Sequence, residues 1–304
     1  MAENVLTLIA APAACAAIKS AVESATQAMA ELGARIEWTS WLAETIACDI
    51  GFGELSPDLA DAACRAAIAR DAPQMPIDLV AQPVLARKKS LLVADMEATV
   101  IANEMLDELA ELRGLRAQIS AITARAMNGE IDFAAALRER VALLKDLPET
   151  ALAEVAGRIR IDRGARALVA TMKAYGAYAA LVSGGFRVFA DPIRDRLGFD
   201  LAVANDLVVA DGKLAGAVRE PILAREAKLA TLTALAAERR VPLAATLAVG
   251  DGANDLPMLE AAGLGIAYHA KPVVAAHARF RIDHGDLTAL LYAQGYRREE
   301  FVGD

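Results

Sequence analysis

Three short apolar runs, spread over more than 150 residues, each end in a cluster of small and acidic residues. Leu91-Leu92-Val93-Ala94 leads into Asp95-Met96-Glu97-Ala98-Thr99. Ala180-Leu181-Val182 leads into Ser183-Gly184-Gly185, and Leu247-Ala248-Val249 leads into Gly250-Asp251-Gly252-Ala253-Asn254-Asp255. Short runs that are apolar at every position suit strands buried on both faces. The helical patterns between them predict a parallel sheet with crossover helices. In an open parallel sheet, ligands bind beyond the carboxyl ends of the strands, so the three clusters are expected to meet at one place. Taken singly, a DxE or a GDG is an ordinary strand-end turn; three in register with their strands are not.

Asp95, Glu97, Asp251 and Asp255 would bring up to four negative charges together. Crowded carboxylates repel and take up protons unless a cation joins them. An all-oxygen ligand set favours Mg²⁺, which keeps several waters and is shared with substrate phosphate. Ser183 and the Gly184-Gly185 backbone offer donors to phosphate oxygens, and Lys228 supplies a point charge. A carboxylate nucleophile, a metal, oxyanion donors and a lysine together describe phosphoryl transfer through an aspartyl-phosphate.

Around this centre the chain of 304 residues has room for about two domains. Residues 1–85 read as a small α/β unit. It has a strand at 5–10, a helix over 13–32, a strand-rich stretch over 35–50 closed by Gly51-Phe52-Gly53, a helix opened by Ser56-Pro57-Asp58, and a strand at 77–81. Residues 86–304 carry the parallel sheet, with strands at 91–94, 178–182, 246–249 and 265–268. The helical stretch over 101–158 exceeds one crossover, so part of it, about 104–160, is read as a cap. Leu207-Val208-Val209-Ala210, Asp211-Gly212 and Lys213-Leu214 form a hairpin signal. Hydrophobic residues make up 56% and the net charge is −8. The first excludes a disordered chain, and the second argues against a phosphate-backbone binder and so against nucleic acid. Residues 5–18 are the most membrane-like, yet they are too short to span and are broken by Pro12, so neither a membrane anchor nor an export signal is expected. Cys15, Cys48 and Cys64 lie far apart without a CxxC, which suits a reducing cytoplasm. Trp38 and Trp41 are expected to pack at a core or edge, and His269, His277 and His284 to lie at the surface.

The segments DMEATV, LVSGGF and VGDGANDLPM resemble the signature motifs of the haloacid dehalogenase superfamily. EMLDELA (104–110), AMNGEIDFAAALRERVALLKDLP (126–148), the KLAG hairpin and GLGIAYHAKP (263–272) are similar to the phosphoserine phosphatases within it. The resemblance covers roughly residues 88–290. It implies a Rossmann-like core with a helical cap, Mg²⁺ dependence and two-step hydrolysis of a small phosphomonoester, the last step of serine biosynthesis. Asp95 matches the nucleophile and a metal ligand. Glu97 matches the general acid/base, its carbonyl a metal ligand, although the family ordinarily has an aspartate there, one methylene shorter. Ala98 stands for the usual serine. Asp251 matches a metal ligand, and Asp255 the acid orienting metal water and lysine. Ser183, Gly184 and Lys228 match the phosphate holders, and Asn254 a substrate contact. Glu104 matches the residue facing the substrate ammonium, Arg140 the one clamping its carboxylate, with Arg138 and Arg113 as competitors. Met127 and Phe133 match apolar cap residues. The amino-terminal unit resembles an ACT-like domain, which could sense an amino acid or mediate homodimerisation. A phosphotransferase with another acceptor such as homoserine, or a weakened amino-acid-binding protein, are the competing readings.

Overall fold

The computed structural model describes residues 2–14, 17–71, 75–127 and 130–303. Near the amino terminus, mostly apolar runs interrupted by single polar residues such as Thr7, Asp49 and Asp78 build an antiparallel sheet. Its strands are β1 (Asn4–Ala10), β2 (Arg35–Ala43), β3 (Ala47–Gly53) and β4 (Ile77–Pro83), in the order β2-β3-β1-β4. Helices α1 (Ile18–Glu31) and α2 (Pro57–Asp71) cover it, burying Ile18, Ala25 and Met29, and Ala60, Cys64 and Ile68, against Leu6, Leu8, Ile50 and Phe52. This β-α-β-β-α-β order is ferredoxin-like. The stretch expected to close at Gly51-Phe52-Gly53 instead turns at residues 44–46, and both glycines lie inside β3. Gly51 is there because the Trp38 indole crosses it: a Cβ would stand 2.1 Å from Trp38 Cε2. Cys48 and Cys64 are buried free thiols, and Cys15 lies outside the described residues.

The second sheet has six parallel strands. The first is β5 (Leu91–Ala94), whose four residues are wholly buried; each large side chain there contributes about 1.5–3 kcal/mol by leaving water. Four cap helices follow: α3 (Met105–Glu111), α4 (Arg116–Met127), α5 (Phe133–Ala142) and α6 (Thr150–Ala156). The chain returns through α7 (Ala165–Ala174), β6 (Tyr178–Phe186), α8 (Arg187–Leu197) and β7 (Leu201–Asn205). A hairpin of β8 (Leu207–Ala210) and β9 (Lys213–Val218) then packs against α5. The remaining elements are α9 (Arg225–Glu238), β10 (Thr246–Gly250), α10 (Leu256–Ala261), β11 (Leu264–Tyr268), α11 (Pro272–His277), β12 (Phe280–Ile282) and α12 (Ala289–Ala293).

The strand order is β12-β11-β10-β5-β6-β7. The chain therefore starts in the middle of the sheet, builds one half, and crosses back to build the other. The reversal falls between β5 and β10, where an open sheet leaves a crevice at its carboxyl edge. Two strands without a sequence signal, β7 and β12, are the edges. β12 is three residues with a half-exposed arginine at its centre, and β7, although it opens on the apolar Leu201–Ala204, is buried at only three of its five positions.

Candidate active site

β5 and β10 are paired in register, Val249 beside Ala94, so their next residues leave the sheet side by side. Asp95, Asp251 and Asp255 consequently offer one carboxylate oxygen each, all within 4.8 Å of one another. Asp255 is brought back by the turn after β10: its Oδ2 accepts the Gly252 amide at 2.9 Å. Gly250 makes room for it, since a Cβ there would lie 2.3 Å from Asp255 Cγ. Gly252 does the same for Asn254, whose Oδ1 would be 2.3 Å from a Cβ. Lys228, on the first turns of α9, reaches into this cluster with 2% of its surface exposed; its Nζ lies 2.7 Å from Asp95 Oδ1 and 2.5 Å from Asp255 Oδ1.

Two of the three buried carboxylates, Asp95 and Asp255, thus share one buried ammonium. Burial pushes the Asp95 carboxyl up to about 7; Asp255 adds to the rise and Lys228 opposes it. Asp251 is raised by burial and by Asp255, against Lys271. Burial alone would lower Lys228, but the Asp95 and Asp255 carboxylates outweigh it and hold it charged. The surplus negative charge and the all-oxygen donor set fit a hard divalent cation held by Asp95, Asp251 and Asp255.

Glu97 stands beside this cluster, half-buried. Its Oε1 accepts the Met105 amide at 2.8 Å, the first amide of α3, and so touches the base of the cap. Its Oε2 would be 2.7 Å from a Cβ at Gly185, and Ser183 Oγ 3.0 Å from the same point. Ser183 Oγ accepts the Gly185 amide at 2.9 Å. Burial and the Glu104 carboxylate push the Glu97 carboxyl up to about 8, with the Met105 amide pulling the other way. A carboxyl that stays protonated at neutral pH is one that can act as a general acid.

The cap supplies the far wall. Asp132 caps α5 by accepting the Ala135 amide at 2.7 Å, which makes Phe133 its first residue. Phe133 lies directly on Gly184, where a Cβ would stand 2.9 Å from its Cζ. Arg140 is two helical turns further on the same face, held by the Ala136 carbonyl at 3.2 Å and Thr123 Oγ1 at 3.4 Å. Burial lowers its pKa, and Glu97, Asp107 and Glu104 oppose that, which places Arg140 among the acids of the cleft. Arg138 is on another face and binds Glu220 at 2.8 Å, and Arg113 is exposed. Glu104, preceding α3, faces the mouth: crowding by protein raises its carboxyl, Lys271 lowers it and Asp251 raises it again. The Met127 side chain lies outside the described residues. Lys271, to which the sequence patterns assign no role, stands at the mouth with Nζ 3.7 Å from Asp251 Oδ2. It sits in the quoted segment 263–272, but a lone lysine before a proline carries no local mark of a site.

The sequence model of haloacid dehalogenase-like hydrolases matches residues 92–260, which hold the acid cluster, the cap and Lys228. The chain belongs to this family. Among curated proteins it is 44% identical over 199 residues to the phosphoserine phosphatase of Streptococcus thermophilus, covering 66% of this chain and 93% of that protein. It is 41% identical over 238 residues to that of Streptomyces coelicolor, covering 78% of this chain and 58% of the relative. The chain thus spans little more than half of some relatives and nearly all of others. A crystal structure of a haloacid dehalogenase family hydrolase from Salmonella enterica serovar Typhi superposes with a TM-score of 0.83 at 29% identity, over 96% of this chain and 98% of that one. That likeness extends over the amino-terminal sheet as well as the hydrolase core. No helix among the described residues is long and apolar enough to cross a membrane.

Proposed function

We propose that the chain hydrolyses O-phospho-L-serine to L-serine and inorganic phosphate, through a phosphoryl group carried on Asp95 and with Mg²⁺ at the acid cluster. The observation that carries this reading is the buried set of Asp95, Asp251, Asp255 and Lys228, with a protonatable Glu97 beside it. When bound, Mg²⁺ neutralises the crowded carboxylates and draws charge from the phosphoryl oxygens. A carboxylate oxygen of Asp95 attacks phosphorus while the bond to the serine oxygen breaks, and Glu97 delivers its proton to that oxygen. Glu97, now ionised, takes a proton from the water that attacks the phosphoryl-Asp95, releasing phosphate and restoring both carboxyls. Lys228, Ser183 Oγ and the Gly184 amide hold the phosphate. Asn254 contacts the substrate from the turn after β10, and Phe133 excludes water above Gly184. Glu104 faces the substrate ammonium and Arg140 forks onto its carboxylate, a pair that a zwitterionic substrate needs and a plain phosphomonoester does not. The relatives named phosphoserine phosphatases support this substrate.

On this reading the protein is a cytoplasmic enzyme completing serine biosynthesis, residues 1–85 form an ACT-like domain and residues 86–304 the catalytic one. The test is phosphate release from O-phosphoserine with and without Mg²⁺, beside Asp95→Asn, across a phosphomonoester panel with acceptors such as homoserine. Mg²⁺-dependent release, best on phosphoserine and absent in Asp95→Asn, is expected. Release no greater than in Asp95→Asn would overturn the reading and leave an amino-acid-binding protein. Phosphorylated homoserine would make the chain a phosphotransferase.

A further inference from the structure

The amino-terminal unit touches the hydrolase core through a buried acid that takes no part in the chemistry above. Asp78, on β4, is 1% exposed, and its carboxylate is directed at the loop after β12. It accepts the amides of Asp283 at 2.7 Å, His284 at 3.2 Å and Gly285 at 2.7 Å. Three amides converging on one carboxylate anchor this loop where it leaves β12.

From that loop two chains of contacts run to the site. Leu287 donates its amide to the Arg163 carbonyl at 3.0 Å, and Gly164 lies so close beneath that a Cβ would be 2.5 Å from the Thr288 nitrogen. Residues 160–164 are the segment returning from the cap. They pair with the segment leaving for it: Asp162 N to Val100 O at 2.9 Å, Ala102 N to Arg160 O at 2.9 Å, and a bridge between Ile101 and Ile161. In the other direction Gly285 O meets His269 Nε2 at 2.9 Å, and His269 holds a left-handed φ of 43°. Two residues on, Lys271 donates its amide to Asp251 O at 3.3 Å. Both connecting segments of the cap, and the turn beside Asp251, are therefore braced by a loop that Asp78 orders.

We propose that Asp78 is a positioning residue of this active site, through which the amino-terminal unit sets the cap's connecting segments and the 269–271 turn. The proposal rests on the site being the catalytic one described above. The control is Gln82→Ala: Gln82 makes a buried junction bond to Ala293 O at 2.7 Å but does not touch the loop. The full-length chain is compared as wild type, Asp78→Asn, Asp78→Glu and Gln82→Ala, each checked for folding by circular dichroism. Hydrogen exchange of the Asp162 and Leu287 amides and steady-state turnover of O-phosphoserine are read. In Asp78→Asn both amides are expected to exchange about tenfold faster and kcat to fall about tenfold with KM changed less than threefold. Asp78→Glu, which keeps the charge but displaces the loop, is expected to fall between, and decides the matter if Asp78→Asn does not fold. Gln82→Ala is expected to leave kcat within twofold and both amides unchanged. Unaltered exchange and kcat in the folded Asp78 variants, or equal losses in Gln82→Ala, would overturn the proposal. The exchange measurement needs no substrate, so a wild-type chain inactive on phosphoserine would remove the functional reading and leave this one decidable.

Discussion

Gly185 and Glu97 form a pair that a double substitution can dissect. In the present geometry an alanine Cβ at 185 would lie 2.7 Å from Glu97 Oε2 and 3.1 Å from its Cδ. Ordinary contact begins near 3.4 Å, so the carboxylate has to retreat by about 0.7 Å, and the same Cβ would stand 3.0 Å from Ser183 Oγ. A misplacement of about 1 Å in a reacting group can cost about 10²-fold in rate. Gly185→Ala is therefore expected to reduce kcat on O-phosphoserine by about 10- to 100-fold, or roughly 1.4–2.7 kcal/mol of barrier. Glu97→Asp draws the carboxylate back by about 1.5 Å, roughly the length of one methylene. That leaves the Met105 amide without its 2.8 Å acceptor, and kcat is expected to fall in this variant too. In the Glu97→Asp background, however, the clash with the carboxylate is relieved and only the milder contact with Ser183 Oγ at 3.0 Å remains, so Gly185→Ala should cost several-fold less than it does beside Glu97. The assay is kcat at saturating substrate and Mg²⁺ for the four proteins, with melting temperatures to exclude unfolding. Additive losses, agreeing within about 0.5 kcal/mol, would refute the claim that the glycine is there for the longer acid.

Two further outcomes follow from the charges. Without a metal, burial pushes the Asp95 carboxyl up to about 7 and the Glu97 carboxyl up to about 8, above their unfolded range near 4. A raised folded pKa means that stability is full below about pH 4 and is lost as pH rises through 7 to 8. At about 1.4 kcal/mol per pKa unit, metal-free protein should lose on the order of a few kcal/mol between pH 5.5 and 8.5, seen as a falling melting temperature. Mg²⁺ should flatten that slope, and a metal-free melting temperature that rises across the interval would contradict the assignment. Arg140→Ala should lower kcat/KM on O-phosphoserine by thirtyfold or more, in line with the roughly 2–5 kcal/mol typical of breaking a buried charged contact, and far less on p-nitrophenyl phosphate. Equal losses on both would make Arg140 a structural residue of α5.

The sequence made the centre of the second sheet readable because burial on both faces leaves its strands no polar position. Leu91-Leu92-Val93-Ala94 and Leu247-Ala248-Val249 could hardly be placed elsewhere, and the acids that follow them had to emerge together. The hairpin was equally plain, since Asp211 and Gly212 both take the positive φ that a tight turn of this hand requires. Edge strands leave a weaker imprint. β12 is three residues with a half-exposed arginine at its centre, a pattern that a loop would also produce. Gly51 misled for a different reason: the glycine answers to the Trp38 ring on the neighbouring strand, a contact without any local spacing.

The same distinction explains which parts of the site could be read. Asp95, Asp251 and Asp255 declare themselves because a side-chain type and a strand end coincide. Choosing Arg140 over Arg138 needed the phase of α5 relative to the core. Residues two apart on a helix point to nearly opposite sides, and the pairing of Arg138 with Glu220, just beyond β9, shows which of the two faces away from the cleft. The junction through Asp78 is harder still. Its partners are amides of Asp283, His284 and Gly285, and Leu287 and Arg163 likewise meet through backbone atoms. Every residue type carries those groups, so nothing in the sequence marks the contact except an aspartate in an apolar strand. An acid buried at 1% exposure in such a strand demands donors, and the question of which segment supplies them leads directly from the amino-terminal sheet to the base of the cap.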